Sequence, residues 1–125
     1  MGMDLVVSPD SDSHVTVLTV RGDVDALSAA ALREGIETQL AAGRQTLVLD
    51  LEGVPFMDST GLGVLVGGLR LTTMHQGTLT LCGVTPRVQR VMLITGLDDV
   101  FDLNATREQA IEAARTRVSQ LAPTD

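Results

Sequence analysis

Asp58-Ser59-Thr60 stands between an extended, proline-marked segment (Val54-Pro55-Phe56-Met57) and an apolar run punctuated by glycine (Gly61-Leu62-Gly63-Val64-Leu65). Pro55 and the residue before it are held extended, so no helix starts ahead of them. Phe56 and Met57 can anchor the loop on a sheet. Asp, Ser and Thr then supply the side chains that favour a helix start. A serine hydroxyl here projects from a loop end, within reach of another protein. It also borders free backbone N–H groups and the positive end of a helix dipole, both of which favour an anion. A phosphate on Ser59 is therefore chemically tolerable, and it adds about −1.5 to −2 charge beside Asp58. The same three residues also suit plain capping, and spacing alone leaves both readings open. A hydrolytic serine is disfavoured. There is no Gly-x-Ser-x-Gly elbow, and the two histidines lie elsewhere: His14 opens an edge strand, and His75 lies about four helical turns from Ser59. No intrinsic catalysis is expected.

Composition narrows the chemistry further. All nine basic residues are Arg, which removes P-loop lysine, Schiff-base and Ser–Lys chemistry. The net charge is −7, and it resides in residues 1–62, where ten acids face three arginines. An acidic half disfavours nucleic acid and anionic membranes and favours a basic protein partner. Phe56 and Phe101, the two aromatics, offer no stacking platform for bases. Cys82 stands alone in an apolar run, so burial is expected and neither a disulfide nor a cysteine-based metal site is. No metal or cofactor is expected. The N-terminus lacks a basic signal-peptide region and no apolar stretch approaches the ~20 residues of a membrane span, so a cytoplasmic protein is expected.

The elements that must position Ser59 follow from periodicity. Leu5–Ser8 and His14–Val20 read as strands around a Ser8–Asp12 turn, forming an antiparallel hairpin at a sheet edge. Leu32, Ile36 and Leu40 mark a helix, with Asp25 or Ser28 to cap it and Gly43 to stop it. Leu47–Leu51 is an unbroken apolar strand of the kind covered on both faces. A helix from about Ser59 carries Leu62, Leu65, Val66 and Leu69 as its core stripe; Gly63, Gly67, Arg70 and Met74 lie opposite. Small residues four apart suit close approach, either by a partner or by packing within the domain, and Met74 is adaptable. Leu79–Cys82 is the next strand. Thr85-Pro86 opens a helix with Val88, Val91 and Met92 inward and Gly96 at its stop, and Val100–Leu103 is a short edge strand. Thr106-x-x-Gln109 opens the last helix, with Ile111, Ala114, Val118 and Leu121 apolar and Pro123 ending it. The fold class is α/β: one domain over 4–121 with a short tail at 122–125, order ββαβαβαβα, a mixed, mostly parallel sheet with an antiparallel N-terminal edge strand. Right-handed crossovers then gather three loops at the carboxyl end of the sheet: Gly22–Asp25, Glu52–Ser59 and Gly83–Thr85.

With these motifs in place, Phe56–Leu65 after the strand Leu47–Leu51 closely resembles the phosphorylation segment of anti-sigma factor antagonists in the STAS family. Arg21-Gly22-Asp23-Val24-Asp25 is similar to that family's Gly-acidic-x-Asp loop, and Thr85-Pro86-Arg87-Val88 and Ile94-Thr95-Gly96-Leu97 resemble its later pattern. The similarity runs from about Leu5 to Leu121. The resemblance implies that Ser59 is phosphorylated by an anti-sigma factor with serine kinase activity, of the histidine-kinase-like ATPase fold, and is restored by a serine phosphatase. It also implies that Asp23, Asp25 and Asp58 are docking acids, joined at the partner surface by Ser59, Thr60, Gly61, Gly63, Gly67, Arg70 and Met74. Thr60 departs from the second serine of many relatives and is a minor alternative acceptor. Two other readings stay in view. A STAS scaffold or transporter-accessory module would leave Ser59 unmodified. A receiver domain phosphorylated on aspartate needs a late lysine that this chain lacks.

Overall fold

The computed structural model describes residues 2–10 and 14–121. Five strands form one sheet in the order of the chain, β1 (Asp4–Asp10), β2 (Val15–Arg21), β3 (Thr46–Gly53), β4 (Thr78–Cys82) and β5 (Asp102–Asn104). β1 runs antiparallel to β2, and every later pair is parallel. The expected mixed sheet and antiparallel edge are both present. The turn residues Ser11 and Asp12, the 122–125 tail with Pro123, and the side chains of Val118 and Leu121 lie outside the described residues.

Among the described residues three α-helices join the strands, α1 (Ala29–Ala41), α2 (Ser59–Met74) and α3 (Pro86–Thr95), and α4 (Arg107–Leu121) follows the last strand. Alternation divides β3 between two cores. Leu47, Leu49 and Leu51 face the large core shared with α1, α2 and α3, which also takes Leu18, Leu32, Ile36, Leu65 and Met92. Val48 faces the smaller core under α4, with Val15, Val17, Cys82, Ala110 and Ala114. Burial on both faces explains why β3 reads as an unbroken apolar run. Among the described residues, no helix is long and apolar enough to cross a membrane.

Four local expectations change. β1 continues past Ser8 through Pro9 and Asp10, which pair with Thr16 and Val15 and so belong to the strand and not to the turn. On α2, Val66 and Leu69 are only half-buried, while Val64, Gly68 and Thr72 are buried beside Leu62 and Leu65. The helix turns its small residues inward because Gly68 lets it close on α1: a Cβ there would lie 2.9 Å from Ile36 Cδ1. Val91 is likewise half-buried. The last strand starts later than its apolar pattern predicts, because a 3₁₀ turn occupies Leu97–Asp99 and leaves Val100 exposed.

Candidate functional site

The three predicted loops meet at the carboxyl end of the parallel strands. Gly22 N–H donates to Gly53 O at 2.9 Å, and Val24 and Met57 pair as an isolated parallel bridge. Around that bridge Val24 N–H donates to Phe56 O at 3.0 Å, and Asp58 N–H to Val24 O at 3.2 Å. Thr85, expected to cap α3, spends its hydroxyl on the loop instead, donating to Val54 O at 3.0 Å. The segment before Ser59 is thus held from both sides by main-chain and hydroxyl bonds.

Asp58 is the N-cap of α2. Its backbone is extended, and its carboxylate accepts from Gly61 N–H at 3.0 Å. One capping role is therefore filled by Asp58 and not by Ser59. Ser59 is the first helical residue, exposed, with no hydrogen-bond partner for its hydroxyl among the described residues; Thr60 beside it is also exposed. Gly61 has a different job. It is buried, and a Cβ there would stand 2.6 Å from both Val24 O and Met57 Cγ. Its hydrogen atom lets α2 start tight against the Val24 bridge.

Acids line the neighbouring loop. Asp23 is exposed and Asp25 half-buried. Asp25 caps the turn that leads into α1, accepting from Leu27 N–H at 3.0 Å and Ser28 N–H at 3.2 Å, while Ser28 Oγ donates to Asp23 O at 2.8 Å. Between these residues Leu27 stands almost wholly in solvent, at 95% relative exposure. Sequence reasoning missed it, because an apolar residue inside a turn carries no periodic signal.

Along α2 the glycines separate by environment. Gly68 packs on Ile36, whereas a Cβ at Gly63 or Gly67 would meet nothing within 4 Å. These two glycines open into a groove of about 390 Å³ between α1 and α2, floored by Ile36, Val64 and Leu71 and edged by Arg33 and Glu37. Arg70 and Met74 are exposed further along α2. His75 caps the far end of the helix, its ring Nδ1 3.0 Å from Leu71 O, and His14 is exposed before β2. Neither is near Ser59. A second unforeseen feature lies beside the loop: the Arg87 guanidinium sits over the Phe56 ring, 5.5 Å from its centroid. Of the two residues expected to anchor the loop, Met57 is buried and Phe56 is partly exposed.

A polar cluster occupies the opposite face of the sheet. Thr19, Asp50, Cys82 and Asn104 stand in one row across four strands. Arg107 on α4 reaches down to that row, contacting Asp50 Oδ2 at 2.8 Å and donating to Thr19 Oγ1 at 2.7 Å. Burial pushes the Cys82 thiol up to about 12, with the Asp50 charge adding to the effect.

Comparisons with known proteins agree with this architecture. The STAS domain family model matches residues 7–110. An anti-sigma-B factor antagonist of Bacillus subtilis is 34% identical over 110 residues, covering 88% of this chain and all of that one. Among solved structures, an anti-sigma factor antagonist from Mycobacterium paratuberculosis is 32% identical with a TM-score of 0.80, covering 91% of this chain and 95% of that one. The Bacillus cell fate determinant SpoIIAA, solved in its phosphorylated form, is 25% identical with a TM-score of 0.67, covering 88% and 98%. The chain of two-sided β3, the loop bridge at Val24 and the exposed serine opening α2 belongs to the STAS domain family.

Proposed function

We propose that this chain is an anti-sigma factor antagonist whose docking is switched at Ser59. Unphosphorylated, it binds an anti-sigma factor that carries serine kinase activity, and the sigma factor held there is released to transcription. The partner then transfers the γ-phosphoryl group of ATP to Ser59 Oγ. ADP leaves, the hydroxyl proton passes to a base on the kinase, and the modified chain dissociates. A separate serine phosphatase restores the hydroxyl. The chain itself catalyses nothing in this cycle, which runs in the cytoplasm.

The observation that carries the reading is the placement of Ser59. Its exposed hydroxyl, without a partner among the described residues, opens α2 on the same helix whose Gly63 and Gly67 line the α1–α2 groove. A partner seated along the groove, with Asp23, Asp25 and Asp58 at its rim and Thr60, Gly63, Gly67, Arg70 and Met74 along α2, brings its active site to that hydroxyl. Gly61 supports this surface from below. Phosphate at the rim blocks close approach and brings unmatched negative charge to an acidic border, and misplaced like charges cost several kcal/mol. Inverting a 99:1 equilibrium needs about 5.5 kcal/mol, which one well-placed dianion largely supplies. The antagonist names of the relatives and the phosphorylated form of one of them support the same role.

Calorimetric titration against ATP-binding anti-sigma kinases tests it. Ser59→Ala should bind one of them as tightly as the unmodified chain, while Ser59→Asp and the phosphoprotein should bind at least about 100-fold more weakly. Equal affinities across the four forms would remove the switch.

A further inference from the structure

Val54 is fully buried, and Pro55 after it has no N–H, so the Val54 carbonyl needs a donor from another element. The turn between β4 and α3 supplies it. Gly83 brings that turn close: its φ is +67°, and a Cβ there would stand 3.0 Å from Glu52 Cβ on β3. Thr85 then comes within reach, and its hydroxyl donates to Val54 O at 3.0 Å. Threonine is a favoured helix cap, yet α3 starts without a side-chain cap bond, because that hydroxyl is committed to the loop. Two residues on, Arg87 grips the same loop a second time, its guanidinium 5.5 Å from the centroid of the partly exposed Phe56 ring.

We infer that the start of α3 is a clamp, with Thr85 and Arg87 as positioning residues that fix the loop before Ser59 for phosphoryl transfer. This inference rests on Ser59 being the modified residue. The clamp holds Val54 and Phe56 from the α3 side, while the main chain of Val24 holds Phe56 O and Asp58 N–H from the other. Asp58, which caps α2 through Gly61 N–H, stands next to Ser59. Release of the Val54 end lets the segment shift between its remaining supports, and the Val24 bonds that set Asp58 loosen with it. The γ-phosphoryl group of ATP and the kinase base must both align with Ser59 Oγ, and misplacement by about 1 Å costs on the order of 100-fold in rate. None of the residues lining the α1–α2 groove belongs to α3. The clamp therefore acts on the rate of transfer and not on the affinity of docking.

The test uses the full chain and the anti-sigma kinase selected by the titration. Single-turnover phosphorylation at saturating kinase reads the transfer step apart from docking. Thr85→Val should slow the maximal rate about 10-fold and leave the half-saturating kinase concentration in place. Thr85→Ser should restore the parental rate. Arg87→Gln should slow transfer about 3-fold, whereas Arg90→Gln, which removes an exposed charge one turn further along α3, should not. A chain that had only lost stability would lose amplitude or need more kinase while keeping its maximal rate. Amide exchange without kinase gives a second reading: Thr85→Val should speed exchange at Val24 and Asp58 about 10-fold and leave the α1 amides unchanged. A parental maximal rate in Thr85→Val would overturn the clamp, as would equal slowing by Arg90→Gln or faster exchange spread evenly over the domain. Absence of phosphate on Ser59 of the parent chain would instead overturn the Ser59 reading itself.

Discussion

At the residue scale, burial determines which side chains are available for chemistry. Ser59 and Cys82 both lie near the carboxyl end of the sheet, yet the serine is exposed and the thiol has no accessible surface. Burial, then the charge of Asp50, raises the thiol from its ordinary 9.0 to about 12, with Arg107 opposing. The folded value exceeds the unfolded one, so the stabilisation is complete below pH 9 and is lost as pH rises toward 12. Above pH 9 the unfolded chain releases this proton and the folded chain retains it. The chain has no Lys and no Tyr, so Cys82 is the one side chain expected to titrate in that window. Denaturant melts should lose about 1.4 kcal/mol of stability per pH unit above pH 9, and Cys82→Ala should abolish the slope whatever it does to absolute stability. A slope that survives in Cys82→Ala would assign the alkaline loss to another group. The burial of Cys82 is legible in its apolar run. The fate of Thr85 is not, because its hydroxyl serves a loop 31 residues away instead of its own helix.

At the scale of the element, α2 shows how one residue type serves two purposes. Glycine within a helix costs roughly 0.5–1 kcal/mol relative to alanine, so each one calls for a physical reason. Gly61 has one inside the domain, since a Cβ there would collide with the Val24 carbonyl. Gly61→Ala should therefore destabilise the fold by about 1–3 kcal/mol through overpacking. Gly67 has no such reason, because a Cβ there points into the open groove. Gly67→Ala should raise the melting temperature, gaining roughly 0.5–1 kcal/mol, while weakening anti-sigma binding. Thermal melts and titrations on the same samples check both halves. Higher stability with unchanged affinity would place the docking surface elsewhere. The sequence spacing of Gly61, Gly63, Gly67 and Gly68 leaves both purposes open, because it records where the small residues fall along a helix and not what lies above them. What separates the two classes is what packs over each glycine: the Val24–Met57 bridge over Gly61, and Ile36 of α1 against Gly68. The approach of α1 displaces Val66 and Leu69 from the expected stripe.

At the scale of the molecule, three helices and the proposed docking surface share one face of the sheet, while among the described residues α4 covers the other. The strand order follows from apolar runs and right-handed crossovers, which is why the architecture and the meeting of the three loops are legible before any coordinates. The attachment of α4 is legible only in part: Ile111 and Ala114 follow its apolar period onto the smaller core, but Arg107 also reaches Asp50, 57 residues away in sequence, and a hydroxyl of β2. No local period encodes such a contact. Asp50 is largely buried and also accepts from Glu52 N–H at 3.1 Å, so removing Arg107 leaves a desolvated carboxylate without its cation. Breaking a fully buried pair costs about 3–5 kcal/mol; because Arg107 is itself partly exposed, Arg107→Ala should cost about 2–3 kcal/mol. Hydrogen exchange should accelerate first in α4 and at the end of β3. Because the α1–α2 groove lies across the sheet from this latch, the folded fraction of Arg107→Ala should still bind the anti-sigma partner with parental affinity and still accept phosphate on Ser59. An affinity loss beyond the unfolded fraction would mean that the two faces communicate through β3, the strand that carries Asp50 at one point and leads into the Ser59 loop a few residues later.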